Sequence, residues 1–169
     1  EKVEFVGDIT PLYCRLEPHQ FSFIRKGLEA RGFNVKVIFL MRDPFERTLS
    51  MIKLFLWRGL TDNMIVSEEQ DWMNFHNFTN YDQTCRTRYE NIIPILKSSF
   101  APENIYIDFF ERLHTVEYSN RLFDFLGMPK NNIEINDIRN KAPQIANLPN
   151  KLKKDVIDFY SNTYEYVIA

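Results

Sequence analysis

Glycine is scarce in this chain of 169 residues, with five in all. None sits in the Gly-rich loop ending in Lys-Ser/Thr that a P-loop kinase uses to cradle phosphate, and no Mg²⁺-binding carboxylate after a strand accompanies one, so a small-molecule kinase is a poor fit. Cysteine is scarcer still. Cys14 and Cys85 stand far apart in the sequence and make neither a disulfide framework nor a zinc-ligand spacing. They read as unpaired thiols, which leans toward a reducing, cytoplasmic location and leaves no metal expected. His19, His76 and His114 are isolated and fit surface or helix-packing roles better than catalysis. No apolar run reaches the roughly 18 to 20 residues of a membrane span, and no charged-then-apolar leader opens the chain, so no transmembrane segment is expected. Charge of one sign is also lacking. A formal net charge of −2 gives no general pull toward nucleic acid, and any anion site must be built locally from a few cations, with Arg42 and Arg47 as candidates.

What is present is a globular composition, 44% hydrophobic and 15% aromatic. That is enough for a sizeable core, and we expect one domain over residues 1–169. Apolar periodicity and its breakers give the organisation. Residues 3–6 form a short extended piece that runs into a Gly- and Pro-marked turn over 7–13. A helix is expected over 18–31, with Gly32 as its stop. Residues 35–41 are a nearly continuous apolar run rich in β-branched side chains, which suits a central strand covered on both faces.

Asp43, Pro44 and Glu46 then read as N-cap, first and third helical positions, with an apolar stripe to Trp57 and a stop at Gly59. Residues 61–80 read as a mobile or partly helical excursion. A helix over 81–100, a strand over 104–110 and a helix over 111–126 capped by Gly127 follow. A loop over 131–149 precedes a terminal helix over 152–167. Strands alternating with helices indicate an α/β fold with a parallel sheet flanked by helices.

In such folds ligands bind at the carboxyl ends of strands, where the next helix presents unpaired N–H groups. Arg42 stands at that place. Its guanidinium can grip a phosphate in bidentate fashion, and Ser50, roughly 80° around the helix from it, can donate a further hydrogen bond. An ion pair of Arg42 with Asp43 or Glu46, and a solvated or back-bonded Ser50, are the plain alternatives. Asp8 is a candidate base at a turn or, more simply, a turn carboxylate bonding its own backbone. Lys141 is a candidate phosphate ligand or a solvated lysine. Trp72, Phe75, Phe78 and Tyr81 suit an acceptor pocket, a lid or helical core packing.

The string over residues 39–50, Phe-Leu-Met-Arg-Asp-Pro-Phe-Glu-Arg-Thr-Leu-Ser, resembles the 3′-phosphate motif of the sulfotransferases that use 3′-phosphoadenosine 5′-phosphosulfate (PAPS). That motif is a strand followed by Arg-(Asn/Asp)-Pro-x-x-Arg-x-x-Ser. Further stretches in the same order are similar to the family: Gly-Asp-Ile-Thr-Pro-Leu-Tyr over 7–13, Arg88-Tyr89 with Ile93 and Leu96, Ile-Tyr-Ile-Asp-Phe-Phe-Glu-Arg-Leu over 105–113, Phe-Asp-Phe-Leu-Gly-Met-Pro over 123–129, and the stretch from Leu148 to Tyr164.

The resemblance covers most of the chain and lies toward the bacterial and heparan-sulfate-type branch. It implies a P-loop-NTPase-like three-layer fold, PAPS as donor and 3′,5′-bisphosphoadenosine as product. Arg42 and Ser50 would hold the 3′-phosphate, with a small-molecule or glycan acceptor, no metal and no nucleic acid.

Two departures accompany it. The family's Lys-x-Gly-Thr-(Thr/Ser) loop for the 5′-phosphosulfate has no counterpart and is expected before Glu1, so the chain reads as the larger part of such a domain without its first strand, loop and helix. The family's usual general base is expected upstream as well, and Ile9 stands where heparan sulfate members carry a catalytic lysine. A binding or scaffold module that keeps the fold without transfer is the alternative reading.

Overall fold

The computed structural model describes residues 5–57, 79, 81–112, 115–129 and 150–168. Its first helix, Pro18–Glu29 (α1), starts at a reciprocal cap: the Glu17 carboxylate accepts from the backbone at the third helical position, and Gln20 Oε1 accepts from Glu17 N at 2.9 Å. Gly32, at φ 85°, supplies the left-handed residue that turns the chain out of α1 toward strand Val37–Met41 (β1). Helix Pro44–Trp57 (α2) begins as its sequence predicts, with Asp43 Oδ1 accepting from Glu46 N at 2.8 Å.

The helix expected over 81–100 is two, Tyr81–Thr84 (α3) and Tyr89–Ser99 (α4). Between them Thr87 accepts a hydrogen bond from Arg47 Nε at 3.1 Å, and Tyr89 N bonds Thr87 O instead of continuing the helical ladder. Strand Ile105–Phe109 (β2) follows, then a 3₁₀ turn over Phe110–Arg112. Helix Val116–Leu126 (α5) therefore starts later than 111, at a Thr115 cap whose Oγ1 accepts from Tyr118 N at 3.2 Å. It ends at Gly127 with φ 71°. The terminal helix is also divided, into Asn150–Phe159 (α6) and Ser161–Ile168 (α7), at the buried Tyr160.

The described residues form a mixed α/β structure, mostly helical, with a small parallel sheet of two strands. Val37 pairs with Ile105 and Met41 with Phe109, so both strands end at the same edge. Alternation sends Val37, Phe39 and Met41 with Ile105 and Ile107 to one face, where they meet Phe21 of α1 and Ile92, Ile93 and Leu96 of α4. Tyr106 lies on the other face, with ring centroids 5.9 Å from Tyr118 and 5.3 Å from Phe125 of α5. A second cluster joins Ile52 of α2 to Leu152, Val156 and Tyr160.

The expectation that β1 is covered on both faces needs correction. Ile38 is 43% exposed: on its face the described packing of α5 falls on Tyr106 of β2. No described helix is long and apolar enough to cross a membrane. The loop expected over 131–149, with Lys141, and the excursion over 61–80 apart from Thr79 lie outside the described residues, as do Trp72, Phe75, Phe78, His76 and His114.

Candidate functional site

Beyond the carboxyl ends of both strands opens a cavity of about 450 Å³, within the size range of small-molecule sites. Arg42, Asp43 and Pro44 line it from the β1–α2 junction, Phe109, Glu111 and Arg112 from the end of β2, and Tyr89, Thr163 and Tyr164 from α4 and α7.

The junction is held by side chains from distant parts of the chain. The Tyr89 hydroxyl accepts from Arg42 N at 2.9 Å and donates to Arg42 O at 2.7 Å, so one buried phenol satisfies both backbone groups of the arginine. Burial pushes the Tyr89 phenol above its ordinary pKa, an effect opposed by its bond to the Arg42 backbone and by Arg47. Tyr164 OH donates to Asp43 Oδ2 at 3.0 Å and accepts from Phe45 N at 3.3 Å. Burial raises its pKa as well, and the bond to Asp43 adds to the rise. Glu111 Oε1 accepts from Asp43 N at 3.3 Å.

These bonds decide what the start of α2 can offer. Pro44 has no N–H, Phe45 N is taken by Tyr164, Glu46 N by the Asp43 carboxylate and Arg47 N by Asp43 O. The backbone N–H groups at the helix start are therefore already bonded, by Asp43 and by the distant Tyr164, and the side chain of Arg42 is the cation at this junction that lines the cavity. Its guanidinium lies over the Phe110 ring at 5.2 Å and makes no ion pair with a carboxylate among the described residues. The alternative pairing with Asp43 or Glu46 is not what the structure shows. The ring offers the guanidinium a cation–π contact.

The lining is mixed in charge. Arg112 is shared with the buried Asp108, at 3.6 Å, and Asp43, Glu46 and Glu111 bring three carboxylates. Asp43 and Glu111 already accept from backbone N–H groups. Arg42 is the lining cation that no described carboxylate pairs.

The other predicted residues fall in different places. Ser50 is half-buried in α2 and is not among the cavity-lining residues. Arg47 is half-buried, its pKa lowered mainly by burial, and its Nε–H ties α2 to Thr87. Asp8 is exposed and accepts from Thr10 Oγ1 at 2.9 Å and from Tyr13 OH; these two bonds, Tyr13's first, lower its pKa. It does not line the cavity. Among the described residues no group of three or more His, Cys, Asp or Glu is placed to hold a metal.

Sequence reasoning passed over Tyr164, Phe110 and Glu111. Tyr164 and Glu111 lie 121 and 68 residues from their Asp43 partner, and no local pattern announces such pairs. Compared with known proteins, the chain matches no family model, no curated protein and no solved structure.

Proposed function

We propose that this chain is a sulfotransferase domain that binds PAPS through its 3′-phosphate at Arg42 and transfers the sulfuryl group to an acceptor hydroxyl or amine. The observation that carries the reading is the Arg42 guanidinium, stacked on Phe110 and without a carboxylate partner among the described residues, on a cavity at the carboxyl ends of parallel strands. The resemblance over residues 39–50 supports it. Ser50 and Lys141 are the further phosphate ligands on this reading. The complete fold would be the P-loop-NTPase-like three-layer arrangement, of which the two-stranded parallel sheet and its helices are a part.

In-line transfer breaks the bond between sulfur and the phosphate oxygen of PAPS and forms one to the acceptor, while the acceptor's proton passes to a base and 3′,5′-bisphosphoadenosine leaves. Positioning and stabilisation of charge on the departing phosphate would supply most of the acceleration, without a metal. A second reading, a nucleotide-binding module without transfer, is favoured by Asp8, whose carboxylate is engaged by Thr10 and Tyr13 and so is a poor proton acceptor.

Incubation of the chain with PAPS carrying isotopically labelled sulfur, against hydroxyl and amine acceptors, tests both. Label on an acceptor together with 3′,5′-bisphosphoadenosine supports the transferase. Nucleotide binding without label transfer points to the module, and no binding of either nucleotide contradicts both.

A further inference from the structure

The sequence separates Cys14 and Cys85 by 71 residues, and the fold brings their sulfurs to 3.7 Å. Cys14 is the fourth residue of a 3₁₀ turn over Pro11–Arg15, after the exposed turn that carries Asp8. Cys85 lies in the break between α3 and α4. Neither forms a disulfide, and both are half-buried. Cys14 Sγ also donates to Pro11 O at 3.1 Å, which holds it toward its partner, and Cys14 packs against the cluster of Phe21, Met41 and Tyr89. Among the described residues no third His, Cys, Asp or Glu joins the pair to make a metal site.

We infer that Cys14 and Cys85 are a reversible redox pair whose disulfide clasps the Asp8 turn to the start of the helix that carries Tyr89. Bond formation requires the sulfurs to close from 3.7 Å to about 2.05 Å. The oxidant is a low-molecular-weight disulfide. One cysteine thiolate attacks it, forms a mixed disulfide and releases one small thiol. The second cysteine thiolate then attacks the protein sulfur of that mixed disulfide, forms the Cys14–Cys85 bond and releases the second small thiol. Two protein thiols are oxidised, one small disulfide is reduced to two thiols, and the two protons of the protein thiols pass to the thiols released.

Burial and Cys85 raise the Cys14 thiol to about 11, against the lowering effect of Arg86 and Arg47, so the thiolate is scarce near neutrality and exchange is slow. The clasp acts on the cavity only indirectly. Cys85 stands two residues before Thr87, which takes the Arg47 bond, and four before Tyr89, which holds the Arg42 backbone. A covalent tie at Cys85 therefore restrains the approach to α4 without touching the guanidinium of Arg42.

The test is equilibration of the whole chain with glutathione disulfide, followed by intact mass, counting of alkylatable thiols and thermal melting. The expected result is loss of both thiols together, no retained glutathione, a monomeric product, and a melting temperature raised by about 10 °C that returns on reduction. Cys14→Ser and Cys85→Ser should each stop at one mixed disulfide with no such rise. Two retained glutathiones, a disulfide-linked dimer, or thiols that stay alkylatable in the folded protein would overturn the inference from the wild type alone.

Discussion

Two exposed-looking turns of this chain each carry a charged residue that the sequence singles out, and they are built in opposite ways. The Asp8 turn closes on itself. Its carboxylate accepts from Thr10 and Tyr13, two and five residues away, and nothing from the cavity reaches it. The Arg42 junction is held from outside, by Tyr89, Glu111 and Tyr164, whose bonds span 47 to 121 residues. A turn that satisfies itself holds its own shape and leaves its charged group spent. A junction satisfied by remote side chains leaves charged groups that those bonds do not use, among them the guanidinium of Arg42.

The largest effect expected on that contrast comes from Tyr89, which is 2% exposed. Tyr89→Ala should destabilise the chain by about 4 kcal/mol in urea unfolding, since it empties core volume and strips the Arg42 backbone of both partners. Tyr89→Phe keeps the volume and should still cost about 2 kcal/mol, the penalty of a buried N–H and C=O left unpaired. If the two variants lose the same amount, the hydroxyl rather than the packing holds the junction. If Tyr89→Phe is neutral, the contrast fails.

Tyr164→Phe should cost less, about 1 kcal/mol, because Asp43 keeps its bond to Glu46 N. Alkaline unfolding separates the same group of phenols from ordinary ones. Tyr89 has its folded pKa raised above the ordinary 10, so its contribution is complete below that value and is lost as pH rises through the raised one. The urea midpoint should therefore fall above pH 10 in the wild type and fall less in Tyr89→Phe.

The smallest effect belongs to Asp8. Asp8→Asn should lower stability only slightly at neutral pH, with the difference vanishing in acid, and should leave nucleotide binding unchanged within error. The lowered folded pKa gives the wild type an advantage that exists only above the ordinary carboxylate range and disappears in acid. A loss of nucleotide binding in Asp8→Asn would put the turn back in the site.

Local signals were legible in the sequence where the physics is local. The Asp43-Pro44-Glu46 helix start, Gly32 and Gly127 at positive φ, and the two apolar strands all depend on neighbours within a few residues. The breaks at residues 85–88 and at Tyr160 escaped because tertiary bonds and burial set them, Arg47 to Thr87 in the first case and the Ile52–Leu152–Val156 cluster in the second. The start of α5 escaped for another reason. From sequence the helix runs on from the end of the strand at 111, whereas a 3₁₀ turn over Phe110–Arg112 intervenes and Thr115 caps the helix. Of the site, Arg42 was legible from its place after a strand. The residues that brace it were not, and neither was the approach of Cys14 to Cys85, because both depend on which distant segments the fold brings together.

The central claim is that Arg42 selects a ligand by its 3′-phosphate. Calorimetric titration of 3′,5′-bisphosphoadenosine and of adenosine 5′-phosphate into the wild type and Arg42→Ala tests it most directly. The account predicts a strong preference for the bisphosphate, with a loss of about 100-fold in Arg42→Ala and little change for adenosine 5′-phosphate, the scale of a bidentate charge-assisted contact. Equal affinity for the two nucleotides, or a preference that survives in Arg42→Ala, would contradict it.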